Sequence, residues 1–180
     1  MFELETPRLQ LRHLEPADAT NTYAGWMNDP EVNRYLETRH VKQTRASCRD
    51  FILQCNSDPC SELFGVFDKE NGQHIGNAKI GFINHRYHRG QLSLFIGEKQ
   101  LWGQGLSSEL VRGLTVYGFE RLGLHRLEAG CYEDNLASLR VFLKAGYVVE
   151  GFMRDHVVID GRRTGCFWLG VLAREYPEQA

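Results

Sequence analysis

The chain has 180 residues, with 21 Lys and Arg against 23 Asp and Glu and a formal net charge of −2. That length suffices for one domain with its own core, and the balanced charge excludes a basic field drawing the chain to nucleic acid or an anionic membrane. No run nears the roughly 18 apolar residues of a membrane helix, the N-terminus lacks a signal-peptide core, and five cysteines without a CxxC pair read as reduced thiols of a cytoplasmic protein.

Residues 4–13 open as a strand, because Leu9 and Leu11 alternate with Arg8, Gln10 and Arg12 and so define one buried face. Glu15-Pro16 starts a helix, with proline early, where its missing N–H costs nothing. Residues 26–31 read as a turn and a second helix start, with Asp29 capping and Pro30 first in the helix. Val32, Tyr35 and Leu36 then share a face. A third helix spans 44–56, with Ala46, Phe51 and Leu53 as its buried side. Residues 63–67 and 74–83 are strands of a hairpin turning at Asn71-Gly72. His85-Arg86-Tyr87-His88-Arg89 follows as a basic loop. Its histidines invite a metal, but no further ligand stands at a usable spacing, so the loop reads as solvated.

The chain is organised around residues 92–120. Leu92, Leu94 and Ile96 alternate with Gln91, Ser93 and Phe95, as in a strand. A glycine-rich turn follows, and Leu106, Leu110, Leu114 and Tyr117 then recur at helical spacing. Glycine at 103 and 105 lets backbone approach a ligand closely, and the free N–H groups of the new helix face the turn. Such a turn suits a phosphate or diphosphate. It is a poor dinucleotide fingerprint, since no third glycine follows at the required spacing and no strand opens the chain in βαβ order. Leu127, Ala129 and Cys131 mark a further strand, parallel to the one at Leu92 because a helix connects them. A short helix over 135–145 ends at Gly146. Strands 148–159 and 164–172 close the chain around Asp160-Gly161.

Gln100-x-x-Gly103-x-Gly105 resembles the acetyl-CoA diphosphate signature of the GCN5-related N-acetyltransferases, the GNAT superfamily. Asn135-Leu-Ala-Ser138 with Phe142-Leu-Lys144-Ala-Gly146-Tyr147 resembles the second motif of that family, and the two stand in family order. Glu5-Thr-Pro-Arg-Leu-x-Leu-Arg12 is similar to the opening of its ribosomal-protein-alanine acetyltransferase members. The resemblance implies an α/β (α+β) GNAT fold over residues 1–180. This would be a mixed, mostly antiparallel sheet of about seven strands flanked by helices, its central parallel pair splayed to admit a pantetheine arm. It implies acetyl-CoA as co-substrate, no metal, and contacts from Phe95, Ile96, Gly97, Gln100, Leu101, Trp102, Gly103, Gln104, Gly105, Leu106, Ser107, Asn135, Ser138 and Lys144.

Acetyl transfer to an amine needs a neutral nucleophile, a donor for the developing oxyanion and a way for the thiolate to leave. The resemblance places the oxyanion donor among the backbone N–H groups from Phe95 to Gly97. Many relatives carry a tyrosine as general acid where this chain has Phe142, which has no proton to give. Ser138 matches the serine proposed for that role in the ribosomal-protein type. Alternatively it only bonds CoA or backbone, and the thiolate leaves unassisted, as its pKa near neutrality allows. Candidate bases are Glu98, which follows the central strand, and Glu37, with Arg39 and His40 beside it on the segment that walls the acceptor site in this family. Asp155 and His156 come third. The expected acceptor is a small amine such as an amino sugar or polyamine. A protein N-terminus and a non-catalytic CoA-binding role are the alternatives, and the expected assembly is a monomer or homodimer.

Overall fold

The computed structural model describes residues 3–176. Eight strands form one sheet: β1 Leu4–Glu5, β2 Leu9–His13, β3 Glu62–Asp68, β4 His74–Asn84, β5 Arg89–Ile96, β6 Arg126–Tyr132, β7 Val148–Ile159 and β8 Arg162–Leu172. Their order is β1-β2-β3-β4-β5-β6-β8-β7, antiparallel throughout except for β5 against β6. The expected count of seven rises to eight because the opening strand is broken. Thr6 and Leu9 bond each other's backbone across a tight turn (Thr6 N to Leu9 O, 2.9 Å), and Thr6 Oγ1 accepts from Leu9 N at 3.0 Å. Pro7 between them has no N–H for a ladder.

Helices cover both faces. Helix α1 is Asn21–Asn28 and α2 is Arg45–Ser57, while α3 is Leu106–Glu120 and α4 is Leu136–Lys144. The main core joins Leu9, Leu11, Phe64, Ile80 and Leu92 of the sheet to Leu110 and Leu114 of α3 and Phe142 of α4. A second core on the opposite face gathers Tyr23, Trp26 and Met27 of α1 and Ile52 of α2 against Leu63. No helix among the described residues is long and apolar enough to cross a membrane, and the five cysteines are free.

Three local expectations change. The helix expected at Glu15 is only a 3-10 turn over Pro16–Asp18. The true helix begins at Asn21, where Thr20 Oγ1 accepts from Tyr23 N at 3.1 Å. Residues 26–28 therefore end α1 instead of forming a turn. Asp29 does accept from Glu31 N at 2.9 Å, but tight turns follow it, leading to a 3-10 turn at Glu37–His40. In α2 the buried row is Cys48, Ile52 and Cys55, spaced by four and three as one helical face requires. Ala46, Phe51 and Leu53 are exposed. Both hairpins form as expected, with Gly72 at φ 72° and Asp160 and Gly161 at φ 50° and 75°.

Candidate active site

The site begins where the sheet opens. Strands β5 and β6 pair through only three positions, Arg89↔Arg126, Gly90↔Leu127 and Gln91↔Glu128. Beyond them β5 stays on β4 as far as Ile96, while β6 stays on β8 as far as Tyr132. The two strands thus bound a slot with bare backbone edges. Charge bolts its closed end. Glu128, buried, accepts from Arg126 Nε at 2.8 Å and Arg89 Nη1 at 3.3 Å, and Arg126 also grips Glu150 of β7.

Strand alternation decides which amides face the slot. Gly97 N donates to Ile75 O at 2.8 Å, so the odd-numbered amides of β5 point to β4 and the even-numbered ones to β6. This bears on the amides from Phe95 to Gly97, where an oxyanion donor is expected. The Gly97 amide is committed to the sheet, leaving Ile96, and Leu94 before it, on the open side. The Trp102 indole N–H donates to Ile96 O at 2.8 Å on that same side.

The glycine turn stands at the mouth of the slot. Gly103 has φ 76° and Gly105 φ 82°, ψ 1°, left-handed conformations that a Cβ would strain. Helix α3 starts directly after Gly105, which supplies no side-chain cap. None of the five amides of residues 103–107 donates to a protein acceptor among the described residues. Gln104 Nε2 closes the turn onto Gln100 O at 3.0 Å. A cation missing from the sequence reading completes it. Arg8 Nη1 donates to Gln104 O at 3.0 Å, and Arg8 Nη2 lies 3.7 Å from where a Gly105 Cβ would stand. Glu109 fixes Arg8 through Nε at 2.7 Å and also accepts from Thr6 Oγ1 at 2.6 Å. Burial would raise the Glu109 carboxyl, but the bonds from Thr6 and Arg8 outweigh it and hold the group below its ordinary value. In sequence Arg8 reads only as the polar side of a strand; its partner is 101 positions away.

The opposite face carries the candidate acceptor side. A Cβ at Gly97 would fall inside the Trp26 ring, so glycine there admits close packing of α1. Trp26 Nε1 then donates to Glu98 Oε1 at 3.2 Å, which places the half-buried Glu98 at the end of β5. Phe95 joins Tyr23 and Trp26 as an aromatic floor, with centroids 6.4 and 6.2 Å apart. The segment after α1 arches over the end of β6, where Tyr35 lies 6.2 Å from Tyr132 and its hydroxyl donates to Asp134 O at 3.2 Å. Lys99 ties the arch to the glycine turn through Asp29 at 2.8 Å and Glu31 at 2.9 Å.

The expected acceptor trio separates into different roles. Arg39 is a strut: its guanidinium donates to Leu36 O at 2.8 Å and Val158 O at 3.2 Å and sits over the Tyr132 ring. Glu37 is exposed, 3.5 Å from Arg39. Its charge reaches the β8 face, where burial first and Glu37 to a lesser degree push the Cys166 thiol up. His40 is exposed.

Helix α4 supplies the remaining groups. Asn135 Oδ1 caps it by accepting from Ser138 N at 3.2 Å, and Ser138 Oγ lies 3.4 Å from the Cys131 thiol of β6. Phe142 is buried edge-to-face on Tyr147, 5.0 Å between centroids. Lys144 is exposed, and its carbonyl accepts from Arg112 Nη2 at 3.1 Å. Asp155 lies in a β7 bulge and lines a groove of about 700 Å³ with Glu133, Arg154 and Arg163, and His156 falls in the same bulge. His85 bonds Pro59 O at 3.0 Å, and no three metal-type side chains gather among the described residues.

These features fit a long, partly anionic donor: unsatisfied amides and a cation at one end, a slot with free backbone groups beyond. Comparison with known proteins gives the family. The family model of the acetyltransferase (GNAT) domain matches residues 8–148. The uncharacterized N-acetyltransferase p20 of Bacillus licheniformis is 31% identical over 179 residues, covering 98% of this chain and 99% of that protein. The ribosomal protein uS5-alanine N-acetyltransferase of Escherichia coli (strain K12) is 30% identical over 175 residues, 88% of this chain and 84% of that protein. Spermidine N-acetyltransferase from Vibrio cholerae, solved with CoA and spermine, superposes with a TM-score of 0.85 at 21% identity, covering 93% and 97% of the two chains. The chain therefore belongs to the GNAT family and is an N-acetyltransferase.

Proposed function

We propose that the enzyme transfers acetyl from acetyl-CoA to a primary amine of a small cationic acceptor of the polyamine class. The observation that carries this reading is the pair of carboxylates on the acceptor face: Glu98 at the end of β5, oriented by Trp26, and Glu37, exposed on the arch. Carboxylates on this side would attract an acceptor with more than one ammonium through charge. The fold likeness to the spermidine enzyme of Vibrio cholerae is in keeping with it.

Bound acetyl-CoA would supply an activated thioester, and the chain's own residues would do the rest. The amides of residues 103–107 and Arg8 would hold the diphosphate. The Ile96 and Leu94 amides would receive the carbonyl oxygen as it gains charge. Glu98 would take a proton from the acceptor ammonium, directly or through water. Ser138 would donate to the sulfur as the C–S bond breaks.

A second reading, acetylation of a protein N-terminus, draws on the 30% identity with the uS5-alanine enzyme. Thiol release from acetyl-CoA, followed against polyamines, amino sugars, amino acids and N-terminal peptides, separates the two. Turnover of spermidine-type amines well above peptides, with kcat/KM falling in Glu98→Gln, upholds the polyamine reading. Turnover confined to peptides overturns it.

A further inference from the structure

The contact between Cys131 and Ser138 crosses from the sheet to a helix. Cys131 stands three positions beyond Glu128, the last β6 residue paired to β5, on the stretch that borders the slot. Its side chain is buried beneath α4 and meets Ser138 Oγ at 3.4 Å, within reach of a sulfur hydrogen bond. The serine backbone N–H is already taken by Asn135. Cys131 Sγ is the one partner of the serine oxygen among the described residues. A hydroxyl carries one proton and two lone pairs, so the direction of this bond fixes what remains for a ligand.

We propose that Cys131 is a positioning residue, its S–H donating to Ser138 Oγ so that the serine O–H is left free and aimed into the slot at the departing sulfur. This rests on the reading of Ser138 as the group that meets that sulfur. In the transfer, the neutral amine nitrogen bonds to the acetyl carbon, the C–S pair passes to sulfur, the nitrogen gives up its surplus proton to solvent, and the Ser138 O–H stabilises the new thiolate.

Charge decides between orientation and a proton relay. Burial pushes the Cys131 thiol up to about 11, against the opposing effect of its contact with Ser138. An ordinary thiol lies near ~8.5, so the departing thiolate is the weaker base and Cys131 keeps its proton. A thiol that stays protonated near neutrality is a constant donor, as an orienting group must be.

Three variants at 131 test this. Cys131→Val keeps bulk and strand propensity but cannot donate, and Cys131→Ser keeps a donor. Single-turnover acetyl transfer, with the amine found by the acceptor panel, should slow about three- to tenfold in Cys131→Val, the range of one weak hydrogen bond. It should stay within about twofold of the parent in Cys131→Ser, and Cys131→Val should add less than about twofold to Ser138→Ala. The third variant, Cys131→Ala, checks by thermal unfolding that lost packing is not the cause. Infrared spectra of the protein without substrate give a second readout. The S–H stretch that disappears in Cys131→Val should lie at lower frequency than a free thiol and move up in Ser138→Ala. An unshifted band, or equal slowing by Cys131→Val in both serine backgrounds, overturns the proposal. A silent Ser138→Ala overturns the serine reading itself, and the proposal with it, which is a different result from a silent Cys131→Val.

Discussion

Gly105→Val tests whether the glycine turn holds the diphosphate. At φ 82° and ψ 1° any L-residue pays about 1–2 kcal/mol relative to glycine. For a domain of this size that is a Tm decrease of about 2–8 °C. Steric conflict adds little, because the nearest atom to a built Cβ is the end of the Arg8 side chain, 3.7 Å away. The variant should therefore fold. Binding is affected differently: two methyl groups would stand before amides that have no protein acceptor among the described residues, and acetyl-CoA affinity should fall at least tenfold, or about 1.4 kcal/mol. Gly105→Asn separates the effects, since asparagine tolerates the left-handed region and should recover much of the Tm but not the affinity. Titration calorimetry with acetyl-CoA on the folded variants reads the outcome. Unchanged affinity in a folded Gly105→Val protein would refute the assignment of the diphosphate to this turn.

Glu37→Gln should raise the apparent KM for the amine, or lower turnover, and leave CoA affinity within about twofold; unaltered amine kinetics would make the Glu37 segment purely structural. Ser138→Ala should lower kcat by about ten- to a thousandfold and weaken CoA binding by at most about 1–2 kcal/mol, as single-turnover kinetics and calorimetry would measure. Phe142→Tyr places a hydroxyl in a filled site, so a stability loss of about 1–3 kcal/mol is expected in denaturant unfolding. The His13 imidazole is raised above its ordinary value, chiefly by its bond to Glu62. Its folded pKa exceeds its unfolded one, so the contribution is full below about 6.5 and lost as pH rises through the raised value. Glu62→Gln should flatten that part of a Tm–pH curve.

Local signals in the sequence are faithful where local physics decides the structure. Asn71-Gly72 and Asp160-Gly161 turn hairpins because few residues other than glycine and its close substitutes accept positive φ. Helix α3 follows its glycine turn because its apolar spacing and the buried face agree. The failures lie where distant contacts decide. Helix α1 carries a weak signal because Pro16 and Pro30 mark helix starts on either side, whereas Thr20 is the cap. The buried row of α2 runs through two cysteines, and Phe51, which reads as core, remains exposed, its ring 5.6 Å from the Lys79 ammonium. Arg8 gains its place at the turn from Glu109, and no sequence window contains both. The splay itself came from family resemblance; strand, helix and strand in sequence would equally fit a pair bonded along its whole length.

The Trp102 indole has an optical consequence. Of the three tryptophans, Trp26 is buried, Trp168 is half-buried, and Trp102 is 44% exposed. Trp102 also leans across the mouth of the slot, donating to Ile96 O at 2.8 Å. A pantetheine arm placed between β5 and β6, as proposed, would pass close to this ring. Native fluorescence should therefore change in intensity and colour as the donor arrives, and Trp102→Phe should abolish most of that change. The chain thus carries its own dye at its entrance, so donor binding can be timed by stopped flow before any acceptor is known.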